Sequence, residues 1–284
     1  MPTNYLTLTE ALSIKPGSVV ALVGGGGKTS TLLRLCQESA QEGRRVLATT
    51  TARMKMEELS GMRDVLLWDE KDVSGQTWKN CRTRVGGSTG WIDEVLAGQS
   101  DASRIPVTFL GRAVMRDKVI GLPADHLGDL LSRLNWDMVV VEADGSRGHS
   151  VKGHRLGEPI IPLCSTVCVI VVGADGFSAF VNAEHCHRPE VIQDLLGVGW
   201  GERLSARLLV ELICHPRGIL SKIPGDITVG IYVNKAPLGQ KIDCAREFAE
   251  RILKRCSGRV HRVAVGDNRQ GGLVETFGVE LSSR

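Results

Sequence analysis

Residues 19–30 read Val19-Val20-Ala21-Leu22-Val23-Gly24-Gly25-Gly26-Gly27-Lys28-Thr29-Ser30. The apolar first half is typical of a strand, and the segment that follows, residues 29–41, carries apolar side chains at helical spacing. Four glycines between them permit backbone conformations that are closed to other residues, so successive N–H groups can converge on one anion. The stretch therefore predicts a strand, a phosphate loop and a helix whose N-terminus faces the same anion.

The residues of this loop have separate predicted roles. Lys28 supplies positive charge to a phosphate, and Thr29 lies beside a phosphate-bound Mg²⁺. The predicted phosphate-binding residues are Gly24, Gly25, Gly26, Gly27, Lys28, Thr29 and Ser30. Their spacing is the short G-x-x-G-K-[ST] form, which resembles the loop of Mur-type amino-acid ligases, so an ATP-dependent ligase is one alternative function. In the alternative interpretation, the stretch is a glycine-rich turn between a strand and a helix that binds no ligand.

A second signal is the run Asp137-Met138-Val139-Val140-Val141-Glu142-Ala143-Asp144-Gly145. Its continuous apolar part predicts a strand that is covered on both faces, with two carboxylates at the carboxyl end. Beside a phosphate loop, such carboxylates position Mg²⁺ or a water. Glu142 is the first candidate for this role and Asp144 the alternative. The predicted catalytic residues are Lys28, Glu142 and Asp144, and the predicted metal ligands are Thr29 and Glu142.

Polar residues also follow other predicted strands. Ligands collect at the carboxyl ends of strands in an open parallel sheet, so Thr50 or Thr51 is predicted to meet the γ-phosphate or Mg²⁺, and Arg53 an anion. In the alternative interpretation the threonines favour a strand and Arg53 is a solvated surface charge. Asn234-Lys235-Ala236-Pro237 lies where guanine-specific proteins carry N-K-x-D. Because proline has no side-chain acceptor, ATP is at least as good a candidate as GTP. Asn234 and Lys235 either pack against a base or simply end the strand.

The loop after the acidic pair is rich in cations. Residues 145–155 carry arginine, histidine and lysine side chains directly beside the predicted nucleotide site. Such a loop can bind a second anionic group.

The motifs together resemble those of a known family. They are residues 24–29 with Thr49-Thr50-Thr51, then Glu142-Ala143-Asp144-Gly145-Ser146-Arg147-Gly148, Lys152, and Glu158-Pro159-Ile160-Ile161-Pro162. This set resembles the YqeC family, the accessory proteins of selenium-dependent molybdenum hydroxylases. The resemblance implies a nucleotide-binding protein in the maturation of a selenium-containing molybdenum cofactor, with a hydroxylase or a carrier of molybdopterin cofactor or selenium as partner. It also implies that Arg147 and Lys152 line the site and that His187 and Arg188 contact substrate.

Composition excludes some classes of function. A net charge of +3 and 4% aromatic residues give neither the electrostatic footprint nor the stacking surface of a nucleic-acid-binding protein. The sequence offers no signal peptide and no apolar run long enough for a bilayer, so we expect a cytoplasmic protein without a membrane partner. Its eight cysteines are then expected to be reduced. Cys164, Cys168 and Cys186 match no standard metal spacing, and packing is favoured over binding of metal or selenium.

Strands that alternate with helices predict one α/β domain over residues 1–284, P-loop NTPase-like, with a mainly parallel sheet flanked by helices. The polar residues 69–103 are predicted to form either a meander or an insertion over the nucleotide site, and the proline in residues 105–111 suggests an edge strand. The predicted function is a Mg²⁺-dependent nucleoside triphosphatase or phosphoryl or nucleotidyl transferase. A nucleotide-switched chaperone that docks to an apo-hydroxylase or cofactor carrier is an alternative from another class.

Overall fold

The computed structural model describes residues 6–59, 64–67, 107–132, 136–237, 241–269 and 272–278. The strands are β1 (Val19–Gly24), β2 (Val46–Thr50), β3 (Arg53–Lys55), β4 (Asp64–Leu67), β5 (Val107–Gly111), β6 (Ala113–Met115), β7 (Lys118–Ile120), β8 (Met138–Glu142), β9 (Val151–Lys152), β10 (Val167–Gly173), β11 (Cys186–His187), β12 (Thr228–Asn234), β13 (Val260–Asp267) and β14 (Gly272–Gly278). The helices are α1 (Leu8–Ala11), α2 (Lys28–Gln41), α3 (Leu127–Ser132), α4 (Pro189–Leu196), α5 (Ala206–Cys214) and α6 (Lys241–Arg255).

Among the described residues, nine strands form the central sheet, in the order β14-β13-β12-β10-β1-β8-β2-β5-β4. Neighbouring strands are parallel except β14, which runs antiparallel to β13. The strand that enters the phosphate loop, β1, lies between β8 and β10 and is buried along its whole length. The P-loop NTPase-like α/β fold predicted from the sequence is confirmed by this arrangement of strand, loop and helix.

The sheet has a hydrophobic core on each face, and β1 contributes to both. Ala21 and Val23 pack in the core that contains Phe248 of α6 and residues of α5. Leu22 faces the opposite core, which contains Leu32 of α2. This alternation follows from the two-residue period of a strand, and a continuous apolar run is what a strand covered on both faces requires.

Two sequence expectations are wrong. The segment with the proline is no edge strand, because β5 lies between β2 and β4. The described strand begins at Val107, after the proline, so the ladder loses no donor. The cysteines are also not all reduced, because Cys214 at the end of α5 and Cys256 after α6 form a disulfide. The predicted insertion at residues 69–103 lies outside the described residues.

The small elements were absent from the sequence interpretation. Strands β3, β6 and β7 form a separate three-stranded sheet, and β9 pairs with β11. Both of these small sheets adjoin the edge where the central strands end. Parallel strands bring their carboxyl ends to the same edge, so the residues that follow β1, β2, β8, β12 and β13 surround one cleft.

Candidate functional site

The phosphate loop packs closely against the end of β10. Gly26 has φ +83°, and a Cβ there would lie 2.1 Å from the backbone nitrogen of Gly173. Gly27, with φ +108°, is the N-cap of α2, which begins at Lys28. A side chain at position 26 would be strained and would also clash with backbone, so this position requires glycine.

Three of the four glycine amides are bonded within the protein. The Gly24 N–H donates to Asp144 Oδ2 at 3.0 Å. The Gly25 N–H donates to Val171 O and the Gly26 N–H to His149 O, both at 2.9 Å. Among the described residues no acceptor is bonded to the Gly27 N–H, and the first amides of α2 have no partner inside the helix. The amides that remain available to a ligand are therefore those of residues 27–30.

Lys28 lies on the floor of the cleft and is 3% exposed. Its Nζ donates to Gly24 O at 2.7 Å and lies 3.1 Å from Asp144 Oδ1. The Asp144 carboxylate also lies 3.1 Å from Lys152 Nζ and 2.8 Å from His154 Nε2. We call Lys28, Asp144, Lys152 and His154 the charge cluster. Its one carboxylate faces two ammonium groups and an imidazole, all of them buried.

The charge cluster shifts the pKa of Asp144, and burial within it shifts that of His154. Burial alone would raise the pKa of Asp144, but Lys28, then His154 and Lys152, hold that pKa well below its usual range. Burial lowers the pKa of His154 despite the nearby carboxylate. Asp144 is therefore ionised and His154 neutral at pH 7, so Asp144 acts as a fixed anion that orients Lys28.

Glu142 has the opposite character, two residues earlier on β8. Its Oε2 accepts from Thr29 Oγ1 at 2.8 Å. Burial raises the pKa of Glu142 to about 7, against the opposing effect of the Lys28 charge. The hydroxyl and the carboxylate are oxygen donors beside the anion site, and Mg²⁺ is bound in proteins by one or two such groups together with phosphate oxygens. Thr29 and Glu142 therefore fit Mg²⁺. Within the described part of the chain, no group of three or more His, Cys, Asp or Glu residues could hold a metal by itself.

The cleft above these residues has a volume of about 1200 Å³. The described Lys and Arg residues that line it outnumber the Asp and Glu residues by nine to five. They are Lys28, Arg53, Lys55, Lys118, Arg147, Arg155, Arg188, Lys235 and Arg269, against Glu58, Glu142, Glu158, Glu190 and Asp267. Walls of one predominant charge attract an anionic ligand. The cleft is large enough for a nucleotide together with a second group.

The basic residues predicted for a second anion lie on one wall. Arg147 is exposed, and its side chain forms no ion pair among the described residues. Arg188 is instead bonded to Glu158, with Nη2 at 2.7 Å from Oε1, and Lys152 lies 3.3 Å from the same carboxylate. Burial would raise the pKa of Glu158, but Arg188 and Lys152 lower it to about 2. His187 lines the cleft, and burial followed by the Lys152 charge lowers its pKa to about 4.

The residues after β2 differ in their access to the cleft. Thr50 is fully buried, and its hydroxyl donates to Glu142 O at 2.8 Å. The Thr51 hydroxyl donates to Ile160 O at 2.7 Å. Arg53 is exposed and lines the cleft. The two threonine hydroxyls thus donate to backbone oxygens. Of Thr50, Thr51 and Arg53, only Arg53 lines the cleft.

The side chains of Asn234 and Lys235, which were predicted to pack against a base, both form hydrogen bonds within the protein. Asn234 is 3% exposed, and its Nδ2 donates to Gly26 O at 2.7 Å. Lys235 Nζ donates to Ser150 Oγ at 2.7 Å and to Asp175 Oδ2 at 3.2 Å. The next strand contributes Asp267, Asn268 and Arg269, which also line the cleft. The sequence interpretation missed these three residues, which lie at the end of β13 and directly after it.

Comparison with known proteins identifies the family. The family model described as YqeC protein matches residues 20–190, which is more than half of the chain. A relative from Escherichia coli (strain K12), the uncharacterized protein YqeC, is 31% identical over 210 residues, which cover 74% of this chain and 73% of the relative. The chain belongs to the YqeC family. The part matched to the YqeC model includes the phosphate loop, Glu142 and the whole charge cluster.

Among solved structures, the chain is similar to FtsY from Mycoplasma mycoides, with 12% identity and a TM-score of 0.39. The match covers 93% of this YqeC-family chain and 64% of the FtsY chain, less than two thirds of the latter. Within the described residues, none of the helices combines the length and the apolar character that a membrane crossing requires.

Proposed function

We propose that this chain binds the Mg²⁺ complex of a nucleoside triphosphate, ATP or GTP, in the cleft and catalyses its hydrolysis or the transfer of a phosphoryl or nucleotidyl group. The observation that carries the proposal is the contact between Thr29 and Glu142, 2.8 Å long, beside Lys28 at the N-terminus of α2. A hydroxyl, a carboxylate and an ammonium group meet there at free helix amides. That combination matches what a triphosphate with its divalent ion requires.

The residues on the floor of the cleft would have different roles. Lys28 and the amides of residues 27–30 bind phosphate oxygens and neutralise the charge that develops during transfer. Thr29 and Glu142 would hold Mg²⁺, which supplies further charge neutralisation when bound. Asp144 remains ionised and keeps the Lys28 ammonium in position from behind. Glu142 is therefore the metal-binding acid of the proposal, and Asp144 is a positioning residue.

A second anionic substrate would bind on the wall that carries Arg147, His187 and Arg188. The Arg147 guanidinium offers five donors in a planar fork that suits phosphate or carboxylate. Lys152 and Arg188 hold Glu158 between them, so the charge on this wall is partly compensated before any ligand arrives. Support for the pathway, maturation of a selenium-containing molybdenum cofactor for molybdenum hydroxylases, comes from the family resemblance, and support for the nucleotide comes from the cleft.

The test is a nucleotide screen by thermal unfolding with and without Mg²⁺. A ligand that binds only the folded chain stabilises it by about 2.7 kcal/mol at a hundredfold excess over Kd, so Tm should rise by several degrees with the correct nucleotide and Mg²⁺. Thr29→Ala should reduce the Mg²⁺-dependent part of this rise. Thr228→Ala, at the exposed start of β12 on the opposite edge of the sheet, is the matched control. A wild-type chain that gains no stability from any triphosphate would refute the proposal.

Product analysis then separates the reaction types. Release of inorganic phosphate alone indicates hydrolysis, whereas a phosphorylated or nucleotidylated small molecule indicates transfer. Hydrolysis that stays slow until a hydroxylase or cofactor carrier is added would favour the nucleotide-switched chaperone instead.

A further inference from the structure

The cleft contains an acidic position that the phosphate chemistry does not use. Asp267 is the last residue of β13, and it lines the cleft beside the end of β12. β12 and β13 are parallel, with Val233 opposite Val265, so both strands end at the same edge. Asp267 thus lies on the strand next to the one that ends in Asn234, in a cleft where the described Lys and Arg residues outnumber Asp and Glu.

The turn after Asp267 is fastened to the phosphate loop. The Asn268 N–H donates to Asn234 Oδ1 at 3.0 Å, while Asn234 Nδ2 donates to Gly26 O at 2.7 Å. The Asn268 side-chain amide donates to Ser30 Oγ and Thr31 Oγ1, both at 3.0 Å. These contacts fix the distance between this turn and the N-terminus of α2, as a site that binds a base at one end and phosphates at the other requires.

The Asp267 carboxylate is held in one orientation and can still accept further hydrogen bonds. Its Oδ1 accepts from the Arg269 N–H at 2.8 Å, which pins the side chain within the turn. Among the described residues no hydrogen bond to Oδ2 and no ion pair to Asp267 is formed. An ionised carboxylate only accepts hydrogen bonds, so a ligand at this position must donate.

We propose that Asp267 is the base-recognition residue of the cleft and that the base is guanine. Guanine carries two adjacent donors, N1–H and the exocyclic N2 amine, on the edge that faces away from the sugar. Adenine carries a donor beside the lone pair of its N1, and a carboxylate would repel that lone pair. Asp267 therefore supplies, from the neighbouring strand, the acceptor that is missing at Pro237. Asn234 and Asn268 position it. This inference rests on the proposed nucleotide binding.

The test uses the full chain with Mg²⁺ and measures the affinity for GTP, ATP and XTP by calorimetry. The wild-type chain should bind GTP at least about tenfold more tightly than ATP, which is the discrimination expected of one well-matched polar pair. Asp267→Asn should lose about tenfold or more in GTP affinity and gain affinity for XTP, because an amide N–H can pair with the 2-oxo group of xanthine. The variant keeps a side-chain oxygen for the Arg269 N–H.

Asp226→Asn is the matched control, since Asp226 is exposed in the turn before β12 at the opposite edge of the sheet. It should leave all three affinities unchanged. A wild-type chain that prefers ATP, or an Asp267→Asn chain with an unaltered ratio of GTP to XTP affinity, would overturn the assignment of guanine while nucleotide binding itself stands. Absence of binding to all three triphosphates would overturn both. If Asp267→Asn fails to fold, the wild-type preference between GTP and ATP decides.

Discussion

The floor and the rim of the cleft both carry cations, but they hold them differently. On the floor, the side chains of Lys28 and Lys152 are 2% and 1% exposed, and each lies within 3.1 Å of the Asp144 carboxylate. On the rim, Arg53 and Arg147 are exposed, and neither forms an ion pair among the described residues. The same formal charge is thus part of the protein interior in one place and available to a ligand in the other.

Because of this difference, the floor cations should affect the stability of the fold, and the rim cations should not. Removing one member of a buried ion pair leaves its partner as an uncompensated charge in a poorly solvated site, whereas an exposed charge is screened by water and salt. Substitutions on the floor should therefore change both folding and ligand affinity. Substitutions on the rim should change ligand affinity alone.

The largest effect is expected from Asp144→Ala. It leaves Lys28 and Lys152 buried without their shared carboxylate, so the free energy of unfolding should fall by about 3–5 kcal/mol. Urea denaturation measures this loss. Asp226→Ala, an exposed aspartate, should stay within about 0.5 kcal/mol of wild type. A loss below 1 kcal/mol for Asp144→Ala would mean that the charge cluster does not stabilise the fold.

Lys28→Ala should have the next largest effect, mainly on ligand affinity. Loss of the ammonium group beside the phosphates should weaken triphosphate binding about a hundredfold, as expected for one charge-assisted contact in a site of low polarity. Stability should fall less than in Asp144→Ala, because Asp144 keeps Lys152 and His154 as partners. Calorimetric titration with Mg²⁺ and nucleotide checks this, with Lys254→Ala, an exposed lysine in the last turn of α6, as the control. Unchanged affinity would remove Lys28 from the phosphate site.

The protonation of Glu142 should make both stability and nucleotide affinity depend on pH. Burial raises its pKa from 4.5 to about 7 in the folded chain, so the folded state holds this proton more tightly than the unfolded state does. Between these two values its contribution to stability should decrease as pH rises. The Mg²⁺-dependent part of nucleotide affinity should show the opposite trend and weaken up to about tenfold for each pH unit below 7, because a protonated carboxyl is a poor metal ligand. Glu142→Gln should abolish this dependence.

The smallest effect is expected on the rim, from Arg147→Ala. The free energy of unfolding should change by no more than about 0.5 kcal/mol, because the side chain is exposed. Binding of inorganic pyrophosphate to the complex of the chain with Mg²⁺ and nucleotide should weaken about fivefold, as expected for one partly solvated charge contact. The readouts are chemical denaturation and calorimetry. A marked loss of stability in Arg147→Ala would contradict the prediction that rim substitutions change ligand affinity alone.

The sequence was sufficient for features that depend on local pattern. The continuous apolar runs of β1 and β8 predicted strands, and the glycines before Lys28 predicted the loop between β1 and α2. The position of Glu142 followed from its place at the end of such a run. Each of these features depends on residues that are neighbours in the chain, so their spacing carries the information.

Features that depend on distant partners were not accessible in this way. The acceptors of the Gly25 and Gly26 amides are backbone oxygens of Val171 and His149, far along the chain. Nothing in the spacing of the loop indicates that these amides are already bonded. The burial of Lys152 and His154 around Asp144 is likewise a property of packing. Asp267 could have been found from the sequence, because it follows the apolar run Val263-Ala264-Val265 much as Glu142 follows its own run.

The Asn234 side chain has a consequence for the motion of the protein. Its amide accepts from the Asn268 N–H and donates to Gly26 O, so one planar group joins the phosphate loop to the turn that follows β13. A local opening that frees the Asn268 amide must also release the loop carbonyl or break the bridge. We therefore expect the Asn268 N–H to exchange with deuterium faster in Asn234→Ala than in the wild-type chain, while the Gly26 N–H, which donates to His149 O, keeps its rate.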